Sequence, residues 1–198
     1  MAYASTADLK AYLKISVATD DTLLASCLTR AQAIIDRATH KTFEASADTT
    51  RYFDAVRDVL DGGRTLFFDQ QWIAQIGTNG VVNGDGVTIP STAYVTEPRN
   101  AGPWYGIRLK SDADYIWTFS SSEEDAIAIT GRWAYSVTAP ADIVQATIRL
   151  AAYLYRQKDN ATGDEDRPIM TGDGVTIMPQ ALPNDVFQLL QPFMPAMR

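Results

Sequence analysis

Asp20-Asp21-Thr22-Leu23-Leu24-Ala25-Ser26-Cys27-Leu28-Thr29-Arg30-Ala31-Gln32-Ala33-Ile34-Ile35-Asp36-Arg37-Ala38-Thr39 is the stretch on which the reading of the fold turns. Leu23, Leu24, Cys27, Leu28, Ala31, Ile34, Ile35 and Ala38 recur at three- and four-residue intervals, with Arg30, Gln32, Asp36 and Arg37 mostly off that stripe. This is the period of an amphipathic helix, and residues 20–39 predict a rod of about 30 Å with one greasy side. A stripe of this kind needs partners to cover it. Upstream, residues 5–15 predict a short helix with Leu9, Tyr12 and Leu13 on one face. Ser5 stands at its cap and Asp8 three positions on, as in a capping box. Far downstream, residues 140–159 predict a third helix. Thr138 and Pro140 sit where a cap and a first-turn proline belong, and Ile143, Thr147, Leu150, Ala151 and Leu154 line one side. A fourth, short helix spans 184–190, with Val186, Phe187, Leu189 and Leu190.

Between these helices the texture is different. Strand-like pieces at Arg51–Asp54, Thr65–Phe68, Trp72–Ile76, Val81-Val82, Val87–Ile89, Ala93–Thr96, Gly106–Leu109, Tyr115–Phe119 and Ala126–Thr130 alternate with turn chemistry. Asn79-Gly80 and Asn83-Gly84-Asp85-Gly86 carry residue pairs that favour tight hairpins. The fold class expected is α+β: a small helical bundle (about 5–15, 20–39, 140–159 and 184–190) with an inserted antiparallel β subdomain. The divisions are 1–48 with 137–160 for the bundle core, 49–136 for the β-rich insertion, and 161–198 for an extended arm, short helix and tail. Gly84-Asp85-Gly86-Val87-Thr88-Ile89-Pro90 is echoed by Gly172-Asp173-Gly174-Val175-Thr176-Ile177-Met178-Pro179. Both read as a turn feeding a short strand, or the second as a strand on an arm that adds to a neighbour's sheet edge. Pro192 and Pro195 argue that the last residues run extended.

Composition narrows the function classes. At 46% hydrophobic the chain is globular rather than disordered. No apolar run approaches the roughly 20 residues that span a bilayer, so no membrane partner is expected. The N-terminus lacks the basic and apolar regions of a signal peptide. With 17 Lys and Arg against 24 Asp and Glu, the net charge is −7, which disfavours gripping a phosphate backbone. Cys27 is the only cysteine and reads as a small core residue. His40 is the only histidine and reads as a helix-end residue. The two lie about 20 Å apart along one helix, too far to act together. There is no Gly-x-Ser-x-Gly elbow and no P-loop. An EF-hand starting at Asn79 would meet Pro90 where it needs Glu. Acidic runs at Glu123-Glu124-Asp125 and Asp164-Glu165-Asp166 read as solvated surface. No catalytic residue, cofactor or metal is expected. The aromatic residues read mainly as core and cross-strand pairs, with Trp104, Tyr105 and Trp117 the platform of an alternative carbohydrate-binding reading.

The order of parts resembles the head–tail connector (adaptor) proteins of tailed double-stranded-DNA bacteriophages. One block is Tyr3-Ala4-Ser5-Thr6-Ala7-Asp8-Leu9-Lys10-Ala11-Tyr12-Leu13 with Asp20–Leu24 and Ala33–Phe43. The other is Ile127-Ala128-Ile129-Thr130-Gly131-Arg132-Trp133-Ala134-Tyr135-Ser136, then Pro140–Ile143 and Ala146–Asp159. The resemblance implies a virion protein of the neck, at the head–tail interface, assembled in the host cytoplasm. It further implies a ring of about twelve copies beneath the portal protein that docks a stopper or tail-completion protein, with DNA passing through unbound. A stopper or tail terminator is the alternative within the same class. The apolar tail, with Pro192, Phe193, Met194, Pro195 and Met197, is the expected portal contact. A twelvefold ring at −7 each would carry on the order of −80 charges, and Asp164, Glu165 and Asp166 are the expected lumen-facing acids. Their influence would reach only about 8–10 Å at physiological salt. Val175 and Ile177 are the expected residues of an arm between subunits.

Overall fold

The computed structural model describes residues 3–69, 71–157, 169–170, 176–177 and 182–194. The chain divides into two compact units. One is Met1–His40 with Ala139–Arg198, the other Lys41–Thr138. The class is α+β, with four α-helices and antiparallel sheets among the described residues.

The helical unit contains α1 (Thr6–Leu13), α2 (Asp21–Thr39), α3 (Ala141–Arg156) and α4 (Asn184–Leu190). α1 begins with a complete capping box. The Asp8 N–H donates to the Ser5 hydroxyl (3.1 Å), and the Ser5 N–H donates to the Asp8 carboxylate (3.0 Å). α2 ends at His40, whose backbone is left-handed (φ 54°). α3 is central: α1, α2 and α4 all pack on it. Its buried side is Ile143, Ala146, Thr147, Ile148, Leu150, Ala151 and Ala152. It meets the α2 stripe of Leu24, Cys27, Leu28, Ala31 and Ile35. Two buried hydroxyls turn back on their own helices, Thr147 to the Ile143 carbonyl (2.7 Å) and Thr39 to the Ile35 carbonyl (2.8 Å). Each removes a polar group from the apolar interior at no cost in partners.

Some expectations shift here. Tyr12 is 46% exposed and only Leu9 of α1 is fully buried, because a helix of eight residues presents barely two turns to its partners. Pro140 takes the N-cap position rather than the first turn, and its carbonyl accepts from the Ile143 N–H (2.9 Å). The chain after α4 is not extended through Phe193. Gln191–Phe193 forms one 3-10 turn, and proline is compatible with it because the first residues of a helical turn need no N–H donor.

The β unit contains β1 (Thr49–Phe53), β2 (Val59–Leu60), β3 (Thr65–Phe67), β4 (Gln75–Val82), β5 (Tyr94–Glu97), β6 (Gly106–Leu109) and β7 (Ile127–Arg132). They form two antiparallel sheets, ordered β1-β7-β4 and β2-β3-β6-β5. One core joins them, built from Phe53, Phe68, Ile73, Val81, Ile107, Leu109, Ile127, Ile129 and Trp133 among others. Phe53, Phe68 and Trp133 meet ring to ring at 5.0–5.6 Å. The Trp133 N–H donates to the Thr49 carbonyl and that of Trp117 to the Arg64 carbonyl, both at 3.0 Å. Each aromatic body is thus buried with its polar edge satisfied.

Asn79-Gly80 does not turn a hairpin. It lies inside β4, where the register against β7 shifts between Ile76 and Val81. Asn79 is left-handed (φ 56°). A Cβ on Gly80 would stand 2.3 Å from the Thr130 carbonyl oxygen. The Asn-Gly pair therefore serves a bulge, which needs the same backbone freedom as a turn. The hairpin forms at Asn83–Val87 instead: the Asn83 N–H donates to the Val87 carbonyl (2.8 Å). Val87–Ile89 and Tyr115–Phe119, expected as strands, contribute single bridges, Val82 to Thr88 and Gly84 to Phe119. Beyond α3, β8 (Ile169–Met170) and β9 (Thr176–Ile177) pair antiparallel within the chain.

Candidate assembly surfaces

The sequence-predicted site residues fall in different places. Pro192 is exposed and Phe193 and Met194 are half-buried, in and just after the 3-10 turn that follows α4. Pro195 and Met197 lie outside the described residues, as do Asp164, Glu165, Asp166 and Val175. The backbone of Ile177 pairs with Ile169. Cys27 is buried in α2. Trp104, Tyr105 and Trp117 do not form one platform. Trp117 is 8% exposed with its N–H turned inward, while Tyr105 stacks on Phe67 (5.9 Å, 6° between planes) and meets Trp72 edge-on. Among the described residues no group of three or more His, Cys, Asp or Glu side chains is placed to hold a metal ion. No helix among them is long and apolar enough to cross a membrane.

The helical unit carries polar ties between its helices. Lys10 of α1 pairs with Asp21 of α2 (2.7 Å), and Arg149 of α3 with Asp185 of α4 (2.9 Å). The Tyr155 hydroxyl donates to Asp20 at the start of α2, and the Tyr3 hydroxyl donates to Asp36 (2.5 Å). Burial raises the Asp36 carboxyl above its ordinary range, opposed in part by the Tyr3 hydroxyl. Asp8 is held below the ordinary range by the Ser5 hydroxyl. Each helix also exposes one or more large apolar side chains, among them Tyr12, Leu23, Tyr153 and Phe187.

The fold as a whole has counterparts in solved structures. It resembles that of chains in structures of gene transfer agent (GTA) particles. One match is to a chain in the neck of an empty GTA particle computed with C6 symmetry, with 16% identity and a TM-score of 0.56. It covers 98% of this chain and 90% of that one. A chain from the virion of a native gene transfer agent particle gives 18% identity, a TM-score of 0.56 and the same coverage. A chain from the neck of a native GTA particle computed with C12 symmetry gives 18% identity and a TM-score of 0.54, covering 98% and 89%. In sequence, no family model and no curated protein matches the chain.

The β unit also holds a feature that the sequence reading missed. An open groove of about 510 Å³ is lined by Arg64, Val95, Arg99, Arg108, Lys110 and Asp112, among others. Arg108 sits mid-sheet, paired across β6 with Thr65 of β3 and Val95 of β5. Arg64 donates to the Lys110 carbonyl (2.9 Å) and Lys110 to the Thr92 carbonyl (2.6 Å). Carbonyls position both cations without neutralising them. Arg108 meets Asp61 (3.1 Å) and Arg99 meets Glu97 (3.5 Å) at the rim. The result is a basic concavity on a chain whose net charge is −7. The only linear hint was Arg108 and Lys110 two residues apart around a strand end; Arg64 lies 46 residues from Lys110.

Proposed function

We propose that the chain is a non-catalytic structural subunit of a phage-type neck, an adaptor that forms a ring of about twelve copies beneath the portal protein. The ring extends the DNA channel and docks the next neck or tail-completion protein. The observation that carries this reading is the fold match over 98% of the chain to chains of particle necks computed with C6 and C12 symmetry. The order of parts adds support: a short helix, a long helix, strands and then a proline-started helix is the order that the resemblance to connector proteins implies, while the length of the β stretch 49–136 departs from the smallest of them. So does the net charge of −7, which lets a duplex slide past rather than bind.

In this reading Pro192, Phe193 and Met194, with Pro195 and Met197, contact the portal. Asp164, Glu165 and Asp166 face the lumen, and Val175 and Ile177 belong to an arm between subunits. The exposed Tyr12, Leu23, Tyr153 and Phe187 supply apolar area for subunit contacts. Single exposed apolar residues are ordinary, but burying several in one interface is what gives an assembly its affinity.

Electron microscopy of particles that incorporate this chain, with the chain labelled, tests the reading. A labelled ring against the portal is expected. A label on the tail side of the neck would make the chain a stopper or terminator, and a label away from the neck would end the proposal.

A further inference from the structure

The β unit presents a basic groove and an acidic turn at separate places. The basic groove belongs to the β2-β3-β6-β5 sheet. The acidic turn Glu123-Glu124-Asp125 is fully exposed and is held beside the end of β1 in the other sheet. There the Ala55 N–H donates to the Glu123 carbonyl (2.8 Å), and the Asp125 N–H donates to the Asp54 carboxylate (2.9 Å). The turn is thus pinned by its backbone, which leaves the Glu123 side chain and the turn's outer surface facing solvent.

We propose that the groove lined by Arg64, Arg99, Arg108 and Lys110 receives the Glu123-Glu124-Asp125 turn of a second copy of this chain. Two different, complementary patches on one subunit make a heterologous, head-to-tail contact, and such a contact closes into a ring when its rotation divides the circle. The inference rests on the ring reading above and specifies one of its interfaces. Charge complementarity favours an acidic protein segment as the occupant. Asp112 lines the groove, and Asp61 and Glu97 pair with two of its cations, Arg108 and Arg99, so the unneutralised positive charge is short and suits a compact carboxylate-bearing turn better than a continuous phosphate backbone. A short turn with carboxylates at its tip would meet chiefly the two cations held by carbonyls, Arg64 and Lys110. Complementary charge of this sort steers association and fixes which faces meet.

The test uses charge exchange in assembling particles. Arg64→Glu with Lys110→Glu, and separately Glu123→Lys with Glu124→Lys, are each expected to reduce neck-bearing particles by about tenfold or more, since like charges then face each other. The fourfold variant restores complementarity and is expected to recover assembly. In parallel, Ser111→Cys with Glu123→Cys, joined by a short bis-maleimide, should give a ladder of covalent multimers from assembled necks; Cys27 is buried and does not compete. Circular dichroism checks that each variant folds, and the cross-link decides where a charge variant does not. Rings that form normally in both pair variants, or that yield no cross-link, overturn the groove–turn contact and leave the neck function standing. Loss of duplex binding in the groove variant with rings intact would assign the groove to DNA instead. Wild-type chain that enters no ring would sink the functional reading itself.

Discussion

The helical unit ties its elements together at their rims, through Lys10 to Asp21, Tyr155 to Asp20 and Arg149 to Asp185. The β unit ties its elements together from inside. Asn83 is 4% exposed and makes three bonds: its amide donates to the Ile116 carbonyl (2.8 Å), and its side-chain oxygen accepts from the Gly84 and Thr118 N–H groups (both 3.1 Å), the Gly84 N–H being shared with the Thr118 carbonyl (3.1 Å). The difference has an energetic meaning. A rim pair exchanges water for a partner in high dielectric and contributes little. Removing the Asn83 side chain leaves the Ile116 carbonyl and the Thr118 N–H without that partner, away from bulk water. The β unit also lets backbones approach where a side chain would forbid it. The helical unit relies on ordinary apolar stripes.

Substitutions can break that contrast, and the two units have separate reporters, because Trp72, Trp104, Trp117 and Trp133 all lie in the β unit. Gly131→Ala is expected to have the largest effect. Its Cβ would stand 2.2 Å from the Gln75 carbonyl oxygen, and relief requires β4 and β7 to part. A loss of about 3 kcal/mol is expected, read by urea denaturation through tryptophan fluorescence. Asn83→Ala follows at about 2–3 kcal/mol by the same measurement. Lys10→Ala in the helical unit should cost at most about 0.5 kcal/mol, and less at high salt, when followed by helical circular dichroism. A Lys10→Ala cost equal to that of Asn83→Ala would show that the rim ties matter as much as the interior ones.

The same contrast explains what could be read from the sequence. Helices announce themselves through a period set by their own geometry, so α2 was legible from Leu24, Cys27, Leu28, Ala31 and Ile35, and α4 from its four apolar residues. The capping box at Ser5 and Asp8 is likewise local. Strand segments were legible where alternation coincided with pairing, as in β6 and β7. They misled where it did not. Tyr115–Phe119 does alternate, with Trp117 inward and Ile116 70% exposed. Its carbonyls and N–H groups are met largely by the Asn83 side chain, which no periodicity reveals. Asn79-Gly80 carries a turn's chemistry, and whether such a pair closes a hairpin or bulges a long strand depends on Thr130 across the sheet. The basic groove was illegible for the same reason. Its cations come from β6 and from segments beside β3 and β5, and only the sheet brings them together.

The smallest expected effect sharpens the comparison inside the helical unit, where two aspartates move in opposite directions. Burial raises the Asp36 carboxyl, so its ionised form is disfavoured in the folded state. At neutral pH it carries a penalty that protonation relieves as pH falls through the raised value towards the ordinary one. Asp36→Asn removes the charge and keeps an oxygen able to accept from the Tyr3 hydroxyl. The variant is expected to equal or exceed the wild type in stability at neutral pH, and to lose that advantage under acid. Asp8 runs the other way. The Ser5 hydroxyl lowers its carboxyl, so its stabilising contribution is present above the ordinary range and is lost as pH falls through the depressed value. Asp8→Asn should therefore be less stable than the wild type at neutral pH and converge on it in acid. Parallel pH profiles for the two variants, each measured against wild type by helical circular dichroism, should slope in opposite senses. Profiles of the same sign would mean that hydrogen bonding from Tyr3, rather than burial, governs Asp36.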